Sequence, residues 1–318
     1  MKEPFVKGKY SKRHHYIPVF FLKGFADDEG LIYIYDKVKD SILLKQKPES
    51  KFYEKDLNNY KTRDGILLTI EEPYYTPLDT RLSPIFSKIQ SGDINQTLTA
   101  LEKFEVLYFI NHLFWRSPQS NKLFIELVNK EGLSNKYFGF KNENGEKVDD
   151  NQIPEIKTQV LQDVEIQKMF KQMIALSDGS FEESKRLFDK WYVITLTNEE
   201  SSFLVGDYPF LINNSNISMN NVFDEMIFPL SKNKLLILSD KSPNFLDGIL
   251  FTNINSCVIA QSKRFVASSN EKQLKNAIEH YKASIESNTE QKIIEDTFKF
   301  MYHLSEYKDH DEYIKAVF

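Results

Sequence analysis

Residues 98–118, LTALEKFEVLYFINHLFWRSP, decide the architecture. From Val106 to Trp115 the stretch is apolar almost all round, the pattern of a helix buried on every side. Pro118 ends it, because the residue before a proline is pushed out of the helical region. At 100° per residue Glu102, Glu105, Phe109, His112 and Arg116 fall on one stripe, so charge is carried into an otherwise apolar element. A lone guanidinium in the interior is costly. Arg116 therefore requires a carboxylate, with Glu102, Glu105 or Asp207 as candidates, and its planar fork would equally suit an anion clamp.

On the N-terminal side, residues 77–91 place Leu82, Ile85, Phe86 and Ile89 at helical spacing, with Gly92 as the stop. Before them, LIYIYD (31–36) and SILLK (41–45) read as a hairpin, and the polar stretch 51–65, KFYEKDLNNYKTRDG, as loop. On the C-terminal side, the Asn-, Gly- and charge-rich residues 139–152 mark an exposed loop or boundary. Helices follow over 153–177 and 181–190. At Trp191 the pattern turns to strands: WYVITLT, SFLVGDYP, MIFPLS and KLLILS, then a helix over 245–262, the closing strand RFVASS, and a helical C-terminus interrupted near Asn288. Strands and helices are segregated along the chain, which predicts an α+β fold with one main mixed or antiparallel sheet built mostly from residues 191–270. The expected organisation is a single domain, 1–318: an N-terminal motif and hairpin (1–50), a mainly helical part (70–190), a mainly sheet part (191–270) and a helical end (271–318).

The 318 residues include 25 Phe and 16 Tyr, enough aromatic area for a large core. The net charge of −5 lacks the overall basic bias of a non-specific nucleic-acid binder, although Lys2, Lys7, Lys9, Lys12 and Arg13 leave room for a local basic patch. The single cysteine, Cys257, lies in an apolar context and reads as an inert buried thiol. The opening residues lack the apolar core of a signal peptide and no run is long enough to span a membrane, which points to the cytoplasm. The chain contains no GxGxxG, GxSxG, HExxH or phosphate-binding Walker sequence.

Four places carry candidate chemistry. In RHHYIPVFFLKGFA, adjacent histidines in an extended segment face opposite sides, so one of His14 and His15 can face a pocket as general base or metal ligand, while the other packs. In FLVGDYPF, Asp207 follows a strand at a turn made by Gly206 and Pro209; it is placed either to enter a site or to satisfy turn amides. His112 and Arg116 lie one turn apart on the buried helix. Asn253 and Asn255 sit within an apolar helix and should bond something buried, most simply backbone.

In this order these places resemble a bacterial family known as domain of unknown function 4238. HHYIPVFFLKGFA resembles its leading His-Tyr-x-Pro and aromatic-leucine run, WRSP (115–118) its Arg-x-Pro, FLVGDYPF its Asp-x-Pro, IFPLSKNKLLIL its Pro-Leu-Ser strand pair, and NINSCVIAQSKRFVAS its Asn-bearing helix and closing strand. The resemblance favours His15, directly before Tyr16, over His14, and raises Arg116 and Asp207. Gly206 departs from the Ser or Thr common there. Asp79 stands where Glu is expected, which argues against a carboxylate role for it.

Two functions compete. In the first, His15, Arg116 and Asp207 converge as catalytic residues of a phosphodiester hydrolase, a nuclease-like effector in host defence against phage or in a toxin role, with His14, His112, Tyr16 and Asn253 as binding residues, nucleic acid as partner and Mg²⁺ or Mn²⁺ as the metal. In the second, the three residues form a structural polar network in a non-catalytic interaction or ligand-sensing protein.

Overall fold

The computed structural model describes residues 6–7, 11–61, 65–92, 94, 98–133, 140–141, 144–213, 217–219 and 221–317. The decisive helix runs Ala100–Arg116. Thr99 caps it through a reciprocal box with Glu102, the Thr99 hydroxyl accepting from the Glu102 amide and the Glu102 carboxylate from the Thr99 amide. Ser117, extended before Pro118, ends it. The helix is fully enclosed from Val106 except at the half-buried Tyr108.

Its polar stripe faces the Thr76–Ser91 helix and the π-helical turn Glu71–Tyr75 that leads into it. Glu102 pairs with Lys88 at 2.5 Å and Glu105 with Arg81 at 3.0 Å. Phe109 packs edge-on to Phe86, their centroids 4.9 Å apart. His112 meets Tyr74, and Arg116 meets Glu71 and Asp79. The short Val19–Leu22 helix closes this pair of helices, and Phe21 touches Phe86, Phe109 and, stacked at 5.5 Å, Phe228 of the Met226–Ser231 strand.

The fold is α+β and its strand pairs are antiparallel. The strands of 191–270 do not form one sheet, however. Leu211–Ile212, Met226–Ser231, Lys234–Leu238 and Trp191–Thr195 make one four-stranded sheet in that order. Val205–Gly206 and Phe265–Ser268 leave it to join the N-terminal hairpin Ile32–Asp36 and Ser41–Gln46 in a second. Strand pattern records which residues are buried, not which partner supplies the missing hydrogen bonds, so this exchange has no local signature.

Both faces of these strands are covered. Phe228, Leu236 and Leu238 join the large aromatic core around the Ala100–Arg116 helix. The alternating Ile227, Leu235 and Ile237 join a second core made with the helices Gly248–Gln261, Glu271–Glu286 and Ile293–Leu304. That double coverage explains why MIFPLS and KLLILS are nearly continuous apolar runs.

Two further expectations are corrected. Residues 51–65 are not simply loop: Tyr53–Lys55 pairs with Arg13–His15, and Asn59–Lys61 with Leu67–Thr69. The pairing partners override the poor local strand propensity. The helix expected over 153–177 is two, Ile153–Gln162 and Val164–Ile174. Asp163 is extended between them, and its carboxylate accepts from the Glu165 and Ile166 amides, capping the second helix. The expected boundary at 139–152 lies partly outside the described residues. Among the described residues no helix is long and apolar enough to cross a membrane.

Because Phe21 joins two helices and a sheet, Phe21→Ala is expected to destabilise the protein by about 3–5 kcal/mol. Urea unfolding should show a lower midpoint at an unchanged slope.

Candidate functional site

Arg116 sits in the last turn of its helix and is 2% exposed. Its Nη1 lies 3.4 Å from both oxygens of Asp79 and its Nη2 lies 3.5 Å from Glu71 Oε1. The guanidinium lies 4.3 Å above the Tyr75 ring. Burial opposes its charge, but Asp79 and Glu71 outweigh that cost and hold its pKa above the ordinary value. The expected partners were different. Glu105 lies eleven residues back, roughly 16 Å along the helix at 1.5 Å per residue, and turns instead to Arg81. Asp79, whose identity argued against a carboxylate role, is one of the two carboxylates that neutralise Arg116.

The histidines lie on the Arg13–His15 strand and face opposite sides, as an extended segment dictates. His14 is fully buried. Its Nδ1 accepts from the Asn58 amide at 2.9 Å, which puts the proton on Nε2, an enclosed atom with no partner among the described residues. Asn58 Nδ2 donates to Glu71 Oε2 at 2.5 Å, and Asn58 Oδ1 accepts from Gln172 at 3.0 Å. Gln172 in turn accepts from the Tyr60 hydroxyl at 2.6 Å. His14 therefore belongs, through Asn58 and Glu71, to the network around Arg116. His15 is half-buried. Its Nε2 is 3.3 Å from the Glu49 carbonyl, and its ring meets Tyr53 edge-on at 5.5 Å. Burial lowers its pKa; the Glu49 bond opposes this, and the fields of Arg116 and Arg13 add to it. The balance favours the neutral imidazole.

Asp207 lies elsewhere in the hydrogen-bond pattern. It is 3% exposed and accepts four N–H donors. Gln119 Nε2 at 2.7 Å and the Lys263 amide at 2.8 Å reach Oδ1; the Arg264 and Phe265 amides, at 2.7 and 3.1 Å, reach Oδ2. Gly206 makes this approach possible, because a Cβ there would lie 2.0 Å from Ser262 Oγ at the end of the Gly248–Gln261 helix. Among the described residues no hydrogen bond or ion pair joins any two of His15, Arg116 and Asp207. Their links are of other kinds: the charge of Arg116 reaches His15, Gln119 follows Arg116 by three residues, and Tyr16, next to His15, is close enough to Asp207 for that charge, after burial, to raise its phenol pKa. A cavity of about 340 Å³ opens here, with Tyr16, Gln119, Asp207 and Arg264 in its wall and neither His15 nor Arg116.

The remaining candidates separate as well. His112 Nε2 lies 2.8 Å from the Tyr74 hydroxyl, which is 3.0 Å from that of Tyr108. Burial, with Arg81 and Arg116 adding, lowers the His112 pKa to about 3. Asn253 is half-buried, and the neighbour Asn255 does the bonding. Its amide donates to the Ser202 carbonyl at 3.2 Å and accepts from the Leu204 amide at 3.0 Å. The helix is apolar on all sides, so phase alone did not separate the two. Sequence reasoning missed Asn58, Glu71, Gln119 and Lys171. The last is buried, donates to the Ser117 carbonyl and to Asn121, and has its pKa lowered to about 7 by burial. Among the described residues no three His, Cys, Asp or Glu side chains converge to hold a metal ion.

The geometry defines an antiparallel α+β protein whose N-terminal strand is seated between two polar networks. The profile of the family described as protein of unknown function DUF4238 matches residues 13–272. The chain belongs to that family. No curated protein and no solved structure matches it.

Arg116→Ala leaves Glu71 and Asp79 facing each other without a cation, and is expected to cost about 3–5 kcal/mol in chemical denaturation. A second prediction concerns pH. His112 is neutral in the fold down to about pH 3 but titrates near 6.5 when unfolded. Its stabilising share is complete above pH 6.5 and is lost as pH falls toward 3, at about 1.4 kcal/mol per unit. The stability difference between the parent and His112→Phe, measured from pH 3 to 8, should rise with pH to about 6.5 and then level; taking the difference removes the other titrating groups. A flat difference would contradict a neutral buried His112.

Proposed function

We propose that this protein acts by binding rather than by catalysis, with Arg116 and Asp207 as parts of structural polar networks. The carrying observation is that the acceptor capacity of Asp207 is taken up inside the protein, by Gln119 and three backbone amides. A carboxylate so engaged can neither orient a histidine nor bind a metal without breaking the turn it holds. Arg116 is likewise given to Glu71 and Asp79, and so is not free as an anion clamp.

One observation favours the hydrolytic reading. With Nε2 of His15 on the Glu49 carbonyl, the neutral ring keeps a lone pair on Nδ1, the form a general base requires. In that reading His15 would act as general base on a phosphodiester, with Mg²⁺ or Mn²⁺ as the metal.

The two readings differ in the expected variants. Under the binding reading, Asp207→Asn turns an acceptor into a donor facing amides and should lower stability by on the order of 1–3 kcal/mol, and His15→Ala should change no turnover. The assay offers DNA, RNA and phosphodiester reporters with Mg²⁺, Mn²⁺ or EDTA. Cleavage by the parent that His15→Ala lacks, at an unchanged melting temperature, would establish the hydrolase instead.

A further inference from the structure

The cavity beside Asp207 is bordered by cations laid on aromatic rings. The Arg13 guanidinium lies 3.9 Å above Tyr53. Arg264 lies 4.7 Å from the Phe265 ring centre and is also held by Asp36 at 3.2 Å. The Lys51 ammonium lies 5.7 Å from Phe265. Tyr53, Arg264, Phe265 and the exposed Lys263 all line the cavity. Thus Lys263 and Arg264 line the opening, and Arg13 and Lys51 lie over two of the rings in its wall, with Glu54 as the exposed carboxylate there, on a chain whose net charge is −5. Asp207, hydrogen-bonded by four neutral donors, also lies in the wall.

Inside, Tyr16 is 7% exposed, and its hydroxyl has no hydrogen-bond partner among the described residues. Gln119 gives its amide nitrogen to Asp207 and retains its oxygen as an acceptor. The opening thus offers cations at the rim and a donor and an acceptor within.

We infer that this cavity binds a nucleotide unit, either free or carried in a single strand: phosphate at the Lys263 and Arg264 rim, base within reach of Tyr16 and Gln119. This assignment rests on the binding reading above and names its ligand. Arginines set over aromatic rings offer planes on which a base can stack, and lysines track phosphate. A volume of about 340 Å³ lies within the range of small-ligand pockets and admits an unstacked base, not a duplex.

The test is fluorescence anisotropy with the full chain and a labelled single strand of about 12 nucleotides, within the site sizes of single-strand binders, with a mononucleotide and the matching duplex as separate arms. The single strand is expected to bind saturably and more tightly than the duplex. Lys263→Glu should weaken binding about tenfold and lower the salt slope by about one. Tyr16→Phe should weaken it about fivefold, the loss of one hydrogen bond, at an unchanged melting temperature. Competition by the mononucleotide at equal affinity would identify the free nucleotide as the source of the same chemistry. Failure of both strand and mononucleotide to bind, or binding indifferent to both substitutions, would overturn the assignment. Cleavage of the strand that His15→Ala abolishes, with binding retained, would overturn the non-catalytic reading and leave the ligand assignment standing.

Discussion

A guanidinium removed from water must find negative charge, and the burial of Arg116 imposes that demand on much of the N-terminal half. Glu71 and Asp79 meet it from the turn and first helical residues of the adjoining helix, and Tyr75 between them supplies an aromatic face. Glu71 is also where Asn58 is anchored. Asn58 fixes His14, and so the Arg13–His15 strand, while Gln172, itself held by the Tyr60 hydroxyl, binds the Asn58 side-chain oxygen. One charge therefore sets the placement of four segments distant in sequence. The rest of the polar stripe, Glu102 on Lys88 and Glu105 on Arg81, fixes how the two helices lie against each other.

Asp207 does the corresponding work at the sheet. Its carboxylate gathers the turn after Arg116 and the amides that enter the Phe265–Ser268 strand. Gly206 allows the Gly248–Gln261 helix to end close enough for those amides to arrive. Charge-assisted bonds of this kind are about twice as strong as neutral ones, which suits a junction where a strand of one sheet must turn back from the other. Arg116 and Asp207, both candidates for chemistry, each tie distant segments together. The side chains of Lys263 and Arg264, whose amides Asp207 holds, lie exposed beside it.

Some of the site was legible. A single arginine in an apolar helix calls for a carboxylate, and an Asp between Gly and Pro after a strand reads either as a site residue or as a turn carboxylate. Adjacent histidines in an extended run announce one inward and one outward ring, although which of them did what needed their partners. The carboxylates for Arg116 were not legible, since helical phase nominated Glu102 and Glu105 and both lie too far back along the axis. Asn58 and Gln119 carry no local sign of importance, because each matters only through what it touches across the fold.

The sequence by itself determined the buried helix and its end at Pro118, the α+β segregation, the N-terminal hairpin and the family, because periodicity and proline act within a few residues of one another. Tertiary structure decided the rest: the division of the strands between two sheets, the pairing of the polar segment at 53–61, and the separation of Arg116 from Asp207 into different networks. These depend on which edge, carboxylate or amide arrives from far along the chain. That choice is made by packing, where a buried charge or an open strand edge accepts whichever partner the whole fold brings within hydrogen-bonding distance.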